Sequence, residues 1–453
     1  MTVNTANKPG IEGTPDIFGD YAVLSVPEAD RKSFLSIMVT TAAWIINLGS
    51  IFSGGSLATG MSFNQVVWAS IIGMLILVGY GVFQAFVGAR YGVSTTMLAR
   101  YCFGRQGTKL FGSIIVIISI GWYAWQLTFF GLTINELFPD VWWAHPRVAA
   151  VWGSVLMIIT AMMGYRGLAT LSYVALPFVV ILSIIGLNRA VVETGSWTAL
   201  SQTAISGQSI PFFTAVTIVV GNAAVGFIII PDISRYGKSM VSGGMAAMIG
   251  ATLGGLFSLL AGAAMVSATS VPGIGTLANI PAAMAALGLG VWAFFILVFA
   301  QWTTNDNNLY TASLGSSNIV NIPKRWHVLI IGIIGTVLAS IGVANFFVPF
   351  LVFLGTYMPP FAGVMIVDYW IINRLIEKKE YRFGPGTVYS QWNIIAFISV
   401  IASGFISSKI GFGIAAVNSI LIAAALYVFL SQVAKAFKIP YCLGESIEDE
   451  SGF

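Results

Sequence analysis

Charge is what this 453-residue chain has least of: only 8% of its residues are charged, against about 25% in a soluble domain. With 21 basic and 17 acidic residues neither sign dominates. That excludes a water-soluble globular protein, a disordered chain and a nucleic-acid binder with a basic face. Cysteine and histidine are as scarce, two of each. Cys102 and Cys442 are too few for a disulfide framework or a zinc site. His145 and His327 stand at the ends of apolar stretches, with no second candidate ligand beside them, so no reactive set for an intramembrane enzyme assembles. What the chain holds instead is 57% hydrophobic residues, with 31 Phe, 13 Trp and 49 Gly. Aromatics and glycine are both common in membrane-spanning helices. The composition is that of a polytopic membrane protein.

The polar first 32 residues contain no apolar run of the signal-peptide kind. After Lys32, stretches long enough for a hydrocarbon core of ~30 Å recur to the end. They lie at 34–61, 65–89, 110–135, 146–165, 168–191, 211–231, 243–268, 288–314, 327–346, 348–371, 393–409 and 413–434, which predicts twelve transmembrane helices. The apolar but proline-interrupted stretch 275–287 reads as a short helix at the membrane edge. Basic residues test the count, because they collect in cytoplasmic loops. With both termini inside the cytoplasmic membrane, only Arg147, Arg189 and Lys409 of the 21 Lys and Arg fall outside. Both cysteines then lie on the reducing side, as free thiols.

Two spans carry glycine clusters in their middles. The first has Asn47-Leu-Gly49 through Gly54-Gly55, and the sixth has Gly221-Asn222-Ala-Ala-Val-Gly226. Interruptions at corresponding places in two halves point to an inverted-repeat transporter with its site near the midplane. Close helix packing through small residues is the other reading. A channel would instead show a repeated pore segment or a ring of charges.

Span 8 contains Thr303-Thr-Asn-Asp-Asn-Asn308 inside an apolar helix. Such a run must face protein, water or an ion. Threonine hydroxyls with carbonyls freed at a broken helix suit a small hard cation, while a helix-to-helix hydrogen-bond network is the bland reading. Asp306 is the acidic residue placed well inside a span, and a proton carrier is the role it offers. In span 3, Trp122 and Gln126 are four apart and share a helix face. An indole beside a donor–acceptor amide suits a planar heterocycle, and plain packing is the alternative for the Trp.

These residues bring a family into view. The chain resembles the nucleobase–cation symporter-1 (purine/cytosine permease) family over about residues 33–434, most closely its bacterial cytosine permeases. The similarity is densest at Ser53-Gly-Gly-Ser-Leu-Ala-Thr-Gly60, Leu98-Ala-Arg-Tyr-Cys-Phe-Gly104, Pro231-Asp-Ile-Ser-Arg-Tyr-Gly237 and Trp302-Thr-Thr-Asn-Asp-Asn307. Gly332-Ile-Ile-Gly-Thr336, Pro359-Pro360 and Asp368-Tyr369 complete it. The resemblance implies an all-α, LeuT-like fold with broken helices 1 and 6. Residues 33–191 and 192–371 would form two inverted five-helix repeats, 372–434 two further helices, and 1–32 and 435–453 cytoplasmic tails; by its own residues the segment 445–453 is acidic and reads as solvated.

The resemblance further implies sodium-coupled import of a nucleobase by alternating access, with no enzymatic activity and no cofactor beyond Na+. A sodium site would use the carbonyls of Ala43, Ile46 and Ala300 and the hydroxyls of Thr303 and Thr304. Trp122 matches the family's stacking tryptophan, and Gln126 a glutamine of its hydantoin transporter. Asn47, Asn222 and Asn305 are further lining candidates. Two positions depart from the cytosine permeases: Ala223 replaces the second stacking aromatic, and Ser119 replaces a substrate-holding glutamine. Phe227 is the neighbour that would supply the missing face. The departures keep a hydantoin- or allantoin-like ureide, or another small N-heterocycle, open as cargo.

Overall fold

The computed structural model describes residues 21, 25–162, 165–203, 205, 207–269, 271–317, 320, 322–384 and 386–447. Most of the expected N-terminal tail, residues 1–20 and 22–24, lies outside them. The first apolar stretch is a helix pair, α1 (Phe34–Ile45) and α2 (Leu48–Gly60), followed by α3 (Phe63–Tyr91), α4 (Thr95–Phe103) and α5 (Arg105–Leu137). Next come α6 (Pro146–Met162), α7 (Tyr165–Thr194), the short α8 (Trp197–Ser201), α9 (Phe212–Ile228), α10 (Pro231–Ser234) and α11 (Met240–Thr269). The second part holds α12 (Ile280–Ala286), α13 (Val291–Ser317), α14 (Lys324–Ser340), α15 (Phe347–Tyr357), α16 (Pro359–Val367), α17 (Ile394–Lys409) and α18 (Ala415–Ala436). Among the described residues six helical spans are long and apolar enough to cross a membrane, and the bent pair α1–α2 makes a seventh. Four more, α6, α9, α14 and α17, are apolar but shorter.

The start of α3 illustrates how local sequence sets these boundaries. Ser62 Oγ accepts from the Gln65 N–H while Gln65 Oε1 accepts from the Ser62 N–H, a reciprocal cap. Gly92, at φ +69°, closes the other end in a conformation that favours glycine.

Between α1 and α2 the chain bends by 56°. Asn47 is extended there, and its side chain replaces lost helix bonds. Its Oδ1 accepts from the Ser50 N–H at 3.0 Å and its Nδ2 donates to the Ile45 carbonyl at 3.1 Å. The bend is held from behind by α11. A Cβ on Gly250 would sit 2.1 Å from the Met38 carbonyl oxygen, and one on Gly262 1.9 Å from that of Ile51. One straight helix with small residues at every fourth position thus approaches both halves of the bent one.

The expectation of a break across 221–226 is corrected. The α9 helix runs through that segment without interruption and stops at Ile228, just ahead of Pro231, which has no N–H to continue the helical ladder. The glycines there serve packing: a Cβ on Gly221 would lie 1.8 Å from the Leu351 carbonyl oxygen of α15, and one on Gly226 3.0 Å from Trp44.

The structure also departs from all-α at one end. Strand β1 (Val388–Asn393) pairs antiparallel with β2 (Cys442–Ile447). Part of the expected solvated tail is therefore sheet, although Glu445 itself stays exposed. At the same end, α16 continues into a π-helix, Asp368–Ile376, whose Asp368 carboxylate accepts from Tyr381 Oη and, at 2.6 Å, from Tyr427 Oη. Residues 25–32 dock there too, Arg31 donating to the carbonyls of Val26, Ala89 and Gly237. Cys102 is buried and Cys442 exposed, both as free thiols.

Candidate functional site

A cavity of about 220 Å³ lies where the α1–α2 bend meets α5, α9 and α13. Six of the seven residues expected to line a substrate site do so: Asn47, Ser119, Trp122, Gln126, Asn222 and Ala223. Trp122 stands over the first turn of α2, where a Cβ on Gly49 would be 3.0 Å from its ring. The absence of a side chain at 49 lets the indole lie against the break. Phe350 meets the indole edge-on, with centroids 5.6 Å apart.

The polar lining divides by what is already bonded. Asn47 caps α2, as described. Asn222 accepts from Ser53 Oγ at 2.9 Å and donates to Ser50 Oγ at 3.0 Å, tying α9 to α2. Ser119 Oγ donates to the Ile115 carbonyl at 2.9 Å. Gln126 differs: it is 1% exposed, and its Oε1 has no hydrogen-bond partner among the described residues. A buried amide oxygen without a partner is uncommon, and this one belongs to a residue that lines the cavity.

Asn305 is the seventh, and it is corrected. Its side chain is buried away from the cavity, with Nδ2 3.3 Å from Met157 Sδ of α6. The residues of α13 that do line the cavity are Thr304, Asn307, Asn308 and Thr311, which share a face at helical spacing. Residue 305 is about 100° around the helix from 304 and looks elsewhere. Asp306 also points to α6: its Oδ1 accepts from Thr160 Oγ1 at 2.9 Å, and its Oδ2 has no partner among the described residues.

Phe227 does not supply a second ring to the cavity. It is fully buried against Tyr80, edge to face at 6.4 Å. Trp44, on the α1 side of the bend, lines the cavity instead and is 40% exposed. Sequence reading missed it because it belongs to another span than the family's second aromatic. The mark that could have found it is an aromatic three residues before the capping Asn47. Asn308 was passed over in the same way, inside a run of polar residues with no register.

The five expected cation ligands fall into two groups. On α13, the hydroxyls of Thr303 and Thr304 both donate to the Ala300 carbonyl, at 3.0 and 2.8 Å. On α1, no backbone N–H among the described residues pairs with the carbonyls of Ala43 or Ile46. The donor set is all oxygen, which suits a hard cation.

The lining residues of α9 and α13 lie in the halves that run toward Pro231 and Lys324, where basic residues gather, while on α5 they extend from Ile115 past its midpoint to Gln126. Asn307 and Thr311 are exposed at the cavity's edge. The opposite end is shut. The Ala278 N–H donates to Ser56 Oγ at 2.9 Å, the Val348 N–H to Thr276 Oγ1 at 3.2 Å, and a Cβ on Gly55 would be 2.6 Å from Ile280 of α12.

A bundle with a bent first span around a cavity open to one end has the architecture of a multi-pass membrane permease. The chain belongs to the family of permeases for cytosine/purines, uracil, thiamine and allantoin, whose model matches residues 25–444. It is 31% identical over 409 residues to the cytosine permease of Escherichia coli K12, covering 90% of this chain and 93% of that one. The fold is the LeuT-like fold of Mhp1: its inward-facing conformation superposes with a TM-score of 0.77 at 18% identity, covering 95% of this chain and 96% of that one. The closed conformation of Mhp1, a nucleobase-cation-symport-1 family transporter with bromovinylhydantoin bound, gives 0.69 at the same identity and coverage.

Proposed function

We propose that the protein is a sodium-coupled symporter importing a nucleobase, cytosine first among candidates, across the cytoplasmic membrane. The observation that carries this reading is the cavity itself. An indole and a glutamine whose amide oxygen has no partner among the described residues line a space of about 220 Å³ at a helix bend, closed at one end and open at the other. In this reading all twelve helical stretches cross the membrane, both termini are cytoplasmic, and residues 33–191 and 192–371 are the inverted repeats. The conformer is then inward-facing.

A planar ring stacks on Trp122, and Gln126 reads its hydrogen-bonding edge. Trp44 takes the place of the missing aromatic at Ala223. Sodium sits between the freed carbonyls of Ala43 and Ile46 and the Ala300–Thr303–Thr304 turn, tying α1 to α13. Coupling requires only that ion and ring favour the same conformer, and it is then reciprocal. The homologues of this chain are permeases, in keeping with transport without chemistry.

The ion role is tested by titrating sodium against uptake. Thr304→Ala is expected to raise the sodium concentration for half-maximal uptake about tenfold, while substrate affinity at saturating sodium changes little. An unchanged titration removes Thr304 from the site. The aromatic role is tested by Trp44→Ala, expected to weaken substrate about tenfold, the loss of one stacking face. Full affinity in that variant assigns Trp44 to packing on Gly226.

Two observations support second readings. Gln126 with Ala223 favours a ureide cargo of the hydantoin or allantoin kind, and ranking by unlabelled competitors separates this from cytosine. The unpartnered Oδ2 of Asp306 leaves an oxygen open for a proton. Proton-driven uptake lost in Asp306→Asn would establish proton coupling.

A further inference from the structure

A groove on the membrane-facing side of the bundle lies apart from the cavity. It is lined by Val367 and Ile371 of the α16–π-helix span and by a stripe of α18 that includes Leu421, Val428, Phe429 and Gln432. The stripe from 421 to 432 advances 1.5 Å per residue, about 16 Å in all, close to half of a ~30 Å hydrocarbon core. Its walls are apolar until the last position. There Gln432 lines the groove, and its buried Nε2 has no hydrogen-bond partner among the described residues. In an apolar groove such a donor calls for an acceptor from whatever fills the space.

Cations gather at this same end. Arg374, exposed and held over the Trp370 ring at 5.2 Å, has no carboxylate partner among the described residues. Lys435 and Lys379 share Glu377, and Lys378 and Lys438 stand nearby in sequence. A groove one leaflet deep, with an unpartnered amide nitrogen on a lining residue at its end and surplus positive charge beyond it, matches one kind of occupant. We propose that it holds an anionic phospholipid of the cytoplasmic leaflet: an acyl chain along α18, an ester oxygen at Gln432 and the phosphate at Arg374.

The test is native mass spectrometry of the full chain titrated with phosphatidylglycerol or phosphatidylcholine of identical acyl chains. Phosphatidylglycerol adducts are expected to survive at concentrations about tenfold lower. Arg374→Gln should cut that preference about fivefold, the weight of one cation at an anionic surface, and Arg374→Lys should retain most of it. Gln432→Leu should weaken both lipids, and Val428→Trp, which fills the groove, should remove the tight adduct. Each variant is first checked for an unchanged melting temperature. Equal retention of the two lipids overturns the proposal, as does a preference that Arg374→Gln and Val428→Trp leave intact. A dimer mass without retained lipid, lost in Val428→Trp, would give the groove to a second copy of the chain and also overturn it.

Discussion

Trp122→Ala is expected to abolish measurable concentrative uptake while the protein still purifies as a folded species. The indole is the flat surface on the α5 wall of the cavity, and base stacking on such a surface is worth about 1–3 kcal/mol. Its loss corresponds to a 5- to 150-fold fall in affinity. The effect on transport is larger, because the same ring rests on Gly49 in the first turn of α2. Removing it loosens substrate and bend together. Trp122→Phe keeps a ring and should restore part of the binding. Uptake and melting temperature measured on both variants separate the two roles. Near-normal uptake by Trp122→Ala takes the residue out of the site. A collapse of melting temperature in both variants would make it a packing residue.

Gly54→Val is expected to leave no correctly assembled protein. A Cβ at this position would lie 1.8 Å from the Leu259 carbonyl oxygen of α11. Overpacking a core commonly costs about 1–3 kcal/mol, and here the obstructing atom is helix backbone, which cannot change rotamer. A cost beyond the upper end of that range is expected, because α2 and α11 would have to separate. Gly79→Val is the control, since a Cβ there meets nothing within 4 Å. Size-exclusion chromatography after extraction reads the outcome. A monodisperse Gly54→Val protein with native melting temperature would show that α2 and α11 are less closely apposed.

How far the sequence spoke for the fold differs from element to element. Each of the twelve apolar stretches corresponds to a helix or a helix pair, because a bilayer-length apolar run has few other ways to satisfy its backbone. The bend at Asn47 was legible because an Asn beside glycines carries both the cap and the freedom to break. Gly221–Gly226 looked alike, yet α9 stays whole. Glycine permits either a break or a close approach, and only a neighbour such as Leu351 of α15 decides which. The strands were hidden for a different reason: six residues of β1 and a charged tail have no pattern until they meet.

In the site, Trp122 and Gln126 declared their shared face by a spacing of four. The run at 303–308 has polar residues on every side of its helix, so no periodicity could tell Thr304 and Asn308 from Asn305. Trp44, the aromatic that lines the cavity from α1, stands on another span than the family's second ring. Its place is visible only where α1 approaches Gly226 of α9 in the folded chain.

In the proposed function this cavity binds a nucleobase and sodium drives it inward. Uptake of labelled cytosine into liposomes carrying the purified protein, with and without an inward sodium gradient, tests it most directly. Concentrative uptake that needs the gradient, and that unlabelled cytosine blocks best, is the predicted result. Cytosine that fails to accumulate under any sodium gradient, and fails to compete with any other labelled heterocycle, would contradict it.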